Sequence, residues 1–137
     1  FQFNSVIGDI KLEYIEFKVL IYEVISKKKN NKIFRNETKK ETITMLVNTY
    51  NGHSESIDKI PNTLNKYISK SCIRESKINE DDLVNVVKKE IITRLTDRLR
   101  YDSIDKVSIQ INIVDIKSIY KPYWIADFRG RNIFIDP

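Results

Sequence analysis

The most suggestive chemistry lies at Gly52-His53-Ser54-Glu55-Ser56, which partly matches the G-x-S-x-G turn that exposes a nucleophilic serine in hydrolases. The match fails at its fifth position, where Ser56 stands in place of the glycine that lets such a turn close tightly. His53 is the chain's single histidine and lies inside the motif, so no second imidazole is left to act as general base. A polar turn with a solvated histidine accounts for the segment. A zinc site needs several Cys or His ligands, and Cys72 and His53 are the only ones, far apart in the chain. The acidic run Glu80-Asp81-Asp82 lacks the spacing and glycine of a calcium loop, and helix capping explains it better. Gly8, Gly52 and Gly130 are isolated, which excludes a glycine-rich phosphate cradle. Cys72 has Lys70 and Arg74 nearby but no base to activate it. The chain therefore reads as non-catalytic, with no cofactor and no metal; a small enzyme with an unrecognised site, a shallow substrate pocket in the sheet, is the last of the alternatives.

Two residue sets remain that suit binding. In the first, Pro122 falls among Tyr120, Tyr123 and Trp124. A proline within a strand marks an edge or bulge, where a protein or peptide, or a second copy pairing edge to edge, can be bound. The second set is basic: Lys27, Lys28 and Lys29, then Lys88, Arg94 and Arg98, then Arg129 and Arg131. With the aromatics these cations offer an alternative, a surface for single-stranded nucleic acid. The net charge of +5 favours polyanions only mildly, and the richness in Ile, Lys and Asn reads as genome bias.

The elements that must position these residues follow from periodicity. Over residues 14–26, Ile15, Phe17, Val19 and Ile21 alternate with Glu16, Lys18, Leu20 and Tyr22, a strand pattern with one mostly apolar face. The lysine-rich stretch that follows reads as an exposed loop through Lys32. A return strand over residues 42–50, with Ile43, Met45 and Val47 on one face, ends at the Asn51-Gly52 turn. Residues 58–77 show at most a short helical turn around Leu64, Tyr67 and Ile68, after the break at Pro61.

From Asn79, a suitable N-cap, Leu83, Val87, Ile91, Leu95 and Leu99 recur every four residues, with Lys88, Lys89, Glu90, Arg94, Asp97 and Arg98 opposite. A strand follows in which Val107, Ile109, Ile111 and Ile113 alternate with polar residues. A further strand spans residues 120–128, and Arg129-Gly130-Arg131 turns into a last one.

An ungapped alignment sets Ile10, Lys11 and Tyr14 against Ile116, Lys117 and Tyr120, which suggests two related β segments, residues 10–56 and 107–137, flanking the helix 79–100. The expectation is one α+β domain spanning residues 1–137. It has a curved antiparallel sheet of five or six strands packed on one main amphipathic helix, in the order β-β-(short helix or loop)-α-β-β-β. No apolar run approaches the length of a membrane span, and a single cysteine fits the cytoplasm. The first residue, Phe1, suggests a piece of a longer chain.

Overall fold

A computed structural model describes residues 7–30, 35–100 and 106–137. Five strands, β1 (Ile7–Asn30), β2 (Arg35–Asn48), β3 (Ser54–Ser56), β4 (Lys106–Phe128) and β5 (Arg131–Ile135), form one curved antiparallel sheet of order β3-β2-β1-β4-β5. The helix α1 (Glu80–Arg100) lies on one face. β1 and β4 are central and pair almost end to end, from Ile7 opposite Phe128 to Lys29 opposite Lys106. The expected α+β plan holds, with two differences of order. Three strands precede the helix, because the residues after Gly52 add β3 beside β2, and only two follow it.

The second difference arises because the two strands expected over residues 107–113 and 120–128 are one, β4. Nothing between them breaks a strand. Instead Val114 is an extra residue, a bulge between the pairs Ile21–Asp115 and Tyr22–Ile113. Just past it the Asp115 carboxylate accepts the Ile116 N–H at 2.9 Å. The bulge moves the helix-facing phase from Ile111 and Ile113 to Ile116, and in sequence this phase change looks like an ending.

The core forms where α1 meets the sheet. Leu20, Tyr22, Val24, Met45, Val47 and Ile111 pack against Leu83, Val87, Ile91 and Leu95, all buried, and each such side chain contributes roughly 1.5–3 kcal/mol. The four-residue helical spacing is realised, with the Leu99 side chain outside the described residues. Asn79 caps the helix as expected, its Oδ1 accepting the Asp81 N–H at 2.8 Å. On β1 the helix covers the face of Leu20 and Tyr22, opposite to that of Ile15 and Val19. Both faces of this central strand are apolar, so alternation alone did not select the covered one.

Two expected loops also differ. Lys27, Lys28 and Lys29 continue β1, held between β2 and β4 (Lys27 opposes Thr38 and Ser108), because pairing on both sides satisfies their backbone. The remainder of that loop, including Lys32, lies outside the described residues. The helical turn expected near Leu64 is absent. Leu64 and Tyr67 are 93% and 90% exposed, so no packing repays the ordering of a short helix, and a single 3-10 turn forms later, at Lys70–Cys72. Beyond the end of β2 the chain returns to β1, with Ile73 bridging Tyr14 and the Arg74 N–H donating to the Tyr14 carbonyl at 2.9 Å.

Candidate interaction site

A helix of 21 residues is about 31 Å long, whereas a strand of 24 residues runs for roughly 80 Å. One helix therefore cannot cover this sheet. Its start is tied to β1 at Lys18, whose Nζ lies 2.9 Å from Glu80 Oε2. Its far end lies over β2, where Arg98 approaches Glu41 at 3.8 Å. On the other side of Lys18 the helix does not extend over this face, and the segment leading into it reaches Glu16 there through Ser76.

The strand registers show what stands there. Ile10 opposes Ala126, Leu12 opposes Trp124, and on the other side of β4 Ile133 and Ile135 oppose Ala126 and Trp124. Opposed residues share a face and strand neighbours alternate, so Ile10, Leu12, Tyr120, Trp124, Ile133 and Ile135 all project on the helix side. Each is 39–55% exposed. With aromatics near 200 Å² and aliphatics somewhat less, these fractions leave roughly 500–600 Å² of apolar surface in one patch, at the top of what a monomer ordinarily exposes.

A polar cluster separates the patch from the core. Lys18 bridges Glu16 (3.2 Å) and Glu80 and donates to Ser118 Oγ at 2.7 Å. The Ser76 hydroxyl lies 3.0 Å from both Glu16 Oε1 and Thr49 Oγ1, and buried Thr49 donates to the Glu16 carbonyl. Burial works to raise the Glu16 pKa, but hydrogen bonds from Ser118, Lys18 and Ser76 and the Lys18 charge together hold it below the usual carboxylate value. Burial likewise opposes the Lys18 charge, and the two carboxylates outweigh it and raise that pKa. One cation here serves two carboxylates, Glu16 inside the cluster and the half-exposed Glu80 at its rim, and Ser76, Ser118 and Thr49 complete the hydrogen bonding as in a structural network.

The other end of the patch is the β4–β5 turn. Phe128 opposes Arg131, so Arg129 and Gly130 form a two-residue loop, both with positive φ (51° and 77°), the primed geometry that matches strand twist. Arg129 lies over the Phe128 ring at 5.4 Å, and both Arg129 and Arg131 are exposed.

Of the aromatic set singled out in the sequence, Tyr120, Pro122 and Trp124 share the patch face. Tyr123 points to the opposite face, meeting Phe134 edge-on with centroids 6.2 Å apart. Also on that face, Arg74 lies over Tyr50 and Phe134, 3.6 Å from Glu13. A shallow hollow beside it is lined by Lys11, Glu13, Arg74, Ile125, Asp127 and Asn132, with its charges balanced.

The basic set does not converge. Arg129 and Arg131 sit at one end of the sheet, and Lys27 is roughly 65 Å away along β1. The side chains of Lys28 and Lys29 lie outside the described residues. Lys88 is half-buried on α1, while Arg94 and Arg98 are exposed there, with Arg98 facing Glu41. His53 is exposed in its turn, and Ser54 donates to Glu90 at 2.7 Å. Among the described residues no three His, Cys, Asp or Glu side chains gather closely enough to hold a metal ion, and no helix is long and apolar enough to cross a membrane.

Sequence reasoning missed Ile10, Leu12, Ile133 and Ile135. The available signal was one of proportion, since a single helix of about six turns cannot shield this many β residues. Comparison with protein-family models, with curated proteins and with solved structures returned no match to this chain.

Proposed function

We propose that the chain is a non-catalytic interaction domain that binds a protein or peptide partner through the apolar patch beyond the start of α1. The observation that carries this is the gathering of six large, substantially exposed apolar side chains on a stretch of that face beyond the reach of the helix. Binding through the face is preferred to pairing at the edge. β4 has no partner on its outer side before Trp124 among the described residues, yet its open edge carries the bulge at Val114, Pro122, and exposed Asp115, Lys117 and Lys121. These are devices by which sheets discourage strand addition. The scatter of the cations weighs against the nucleic-acid alternative, which needs a continuous basic track.

Photo-crosslinking tests the proposal. A photoreactive amino acid in place of Ile135, within the patch, should form one discrete protein adduct in the native cell, whereas the same group in place of Lys117 on the opposite face should not. Equal labelling from both positions, or none from the patch, would refute it.

A further inference from the structure

We infer that the occupant of the patch is a second copy of this chain, stacked face to face about a two-fold axis; this rests on the patch being a docking surface. The charges at its two ends choose the partner. At one end stand the exposed Arg129 and Arg131, and at the other the first turn of α1 presents Glu80, Asp81 and Asp82. Phe128, opposite Arg131, and Ser118, bonded to the Lys18 that holds Glu80, mark these ends on β4. The midpoint between them falls beside Pro122 and Trp124, about 17 Å from either.

A two-fold axis at that midpoint reverses one sheet against the other, so each basic turn meets the other copy's acidic helix start. The same surface thereby supplies both halves of two ion-pair clusters, as an isologous contact requires. The parallel arrangement would oppose Arg129 and Arg131 to themselves. The apolar patch supplies roughly 500–600 Å² per copy, and its charged rims extend it towards the ~800 Å² per partner of a standard stable interface. The net charge of +5 opposes association at long range, but at physiological salt a Debye length near 8 Å screens that repulsion more than it weakens close pairs.

Sedimentation velocity of the intact chain at physiological salt, from low micromolar to submillimolar, provides the test. The mass should rise from 16.2 kDa towards twice that value. Leu12→Asp should abolish the rise, and the pair Arg129→Glu with Arg131→Glu should weaken it about tenfold or more, the effect of setting like charges together. Mixing that variant with one carrying Asp81→Lys and Asp82→Lys should restore dimers between the two, a rescue that misfolding cannot mimic. A monomer at every concentration, or charge reversal without effect, would overturn the inference. The apolar dye 1-anilinonaphthalene-8-sulfonate then separates the two failures. If a monomer binds it and quenches Trp124, the docking surface stands and only the second copy is wrong; if it does not bind, both fall.

Discussion

Replacing Tyr22 by Phe tests how the helix is seated on the sheet. Tyr22 is fully buried, and its hydroxyl donates to the Val84 carbonyl of α1 at 2.8 Å. Tyr22→Phe removes one neutral hydrogen bond and leaves the ring in place, so stability near pH 8 should fall by about 1 kcal/mol, or roughly 3–6 °C in Tm for a chain of this size. Burial also pushes the phenol up to about 12, against about 10 in the unfolded chain. Between these values the unfolded state has released a proton that the folded state keeps, so stability falls as pH rises. At pH 11 the wild type should have lost about 1.4 kcal/mol through this group alone. The variant has no such loss. Urea unfolding followed by circular dichroism should therefore find it less stable at pH 8 and level with the wild type close to pH 11. A deficit of the same size at both pH values, or none at pH 8, would refute the placement of this hydroxyl.

Other consequences are simpler to check. Glu16→Gln should be less stable than the wild type at neutral pH. An ionised Glu16 stabilises fully above the ordinary carboxylate value near 4.5, and that contribution is lost as pH falls through its lowered folded pKa, so urea midpoints of the two should converge in acid. Gly52→Ala should cost about 1–2 kcal/mol, since φ is +78° and a Cβ would stand 3.1 Å from Ile78 Cδ1; thermal unfolding would show it. Leu83→Ala, at a position 1% exposed, should cost about 3 kcal/mol. By contrast Ile10→Ser, at 55% exposure, should cost under about 1 kcal/mol in the same denaturation assay.

The parts of the fold that were legible in the sequence are those where one period acts on one face. The spacing of Leu83, Val87, Ile91 and Leu95 with Asn79 as cap located α1, and Ile43, Met45 and Val47 showed the helix-facing side of β2. β1 was harder because Ile15 and Val19 are as buried as Leu20 and Tyr22, so its alternation carries no sign of the covered side. In sequence β4 reads as two strands because of a single residue, Val114, whose effect lies in its register against Ile21 and Tyr22, far earlier in the chain.

The same non-local pairing hid most of the patch. Tyr120, Pro122 and Trp124 stood out as aromatic and proline residues, whereas Ile10, Leu12, Ile133 and Ile135 gain meaning only from lying opposite Trp124 and Ala126. Tyr123 shows the converse, since adjacency in sequence places it on the other face.

Trp124 is the chain's single tryptophan, stands 42% exposed, and lies at the middle of the patch, so its fluorescence reports directly on whether that surface becomes covered. Acrylamide quenching of the purified chain across a concentration series is the decisive measurement. The proposed docking predicts efficient quenching in dilute solution, with progressive protection and a shift of emission to the blue as the protein is concentrated. Quenching and emission that stay constant up to submillimolar protein, together with a cell-derived adduct equally frequent on both faces, would contradict it.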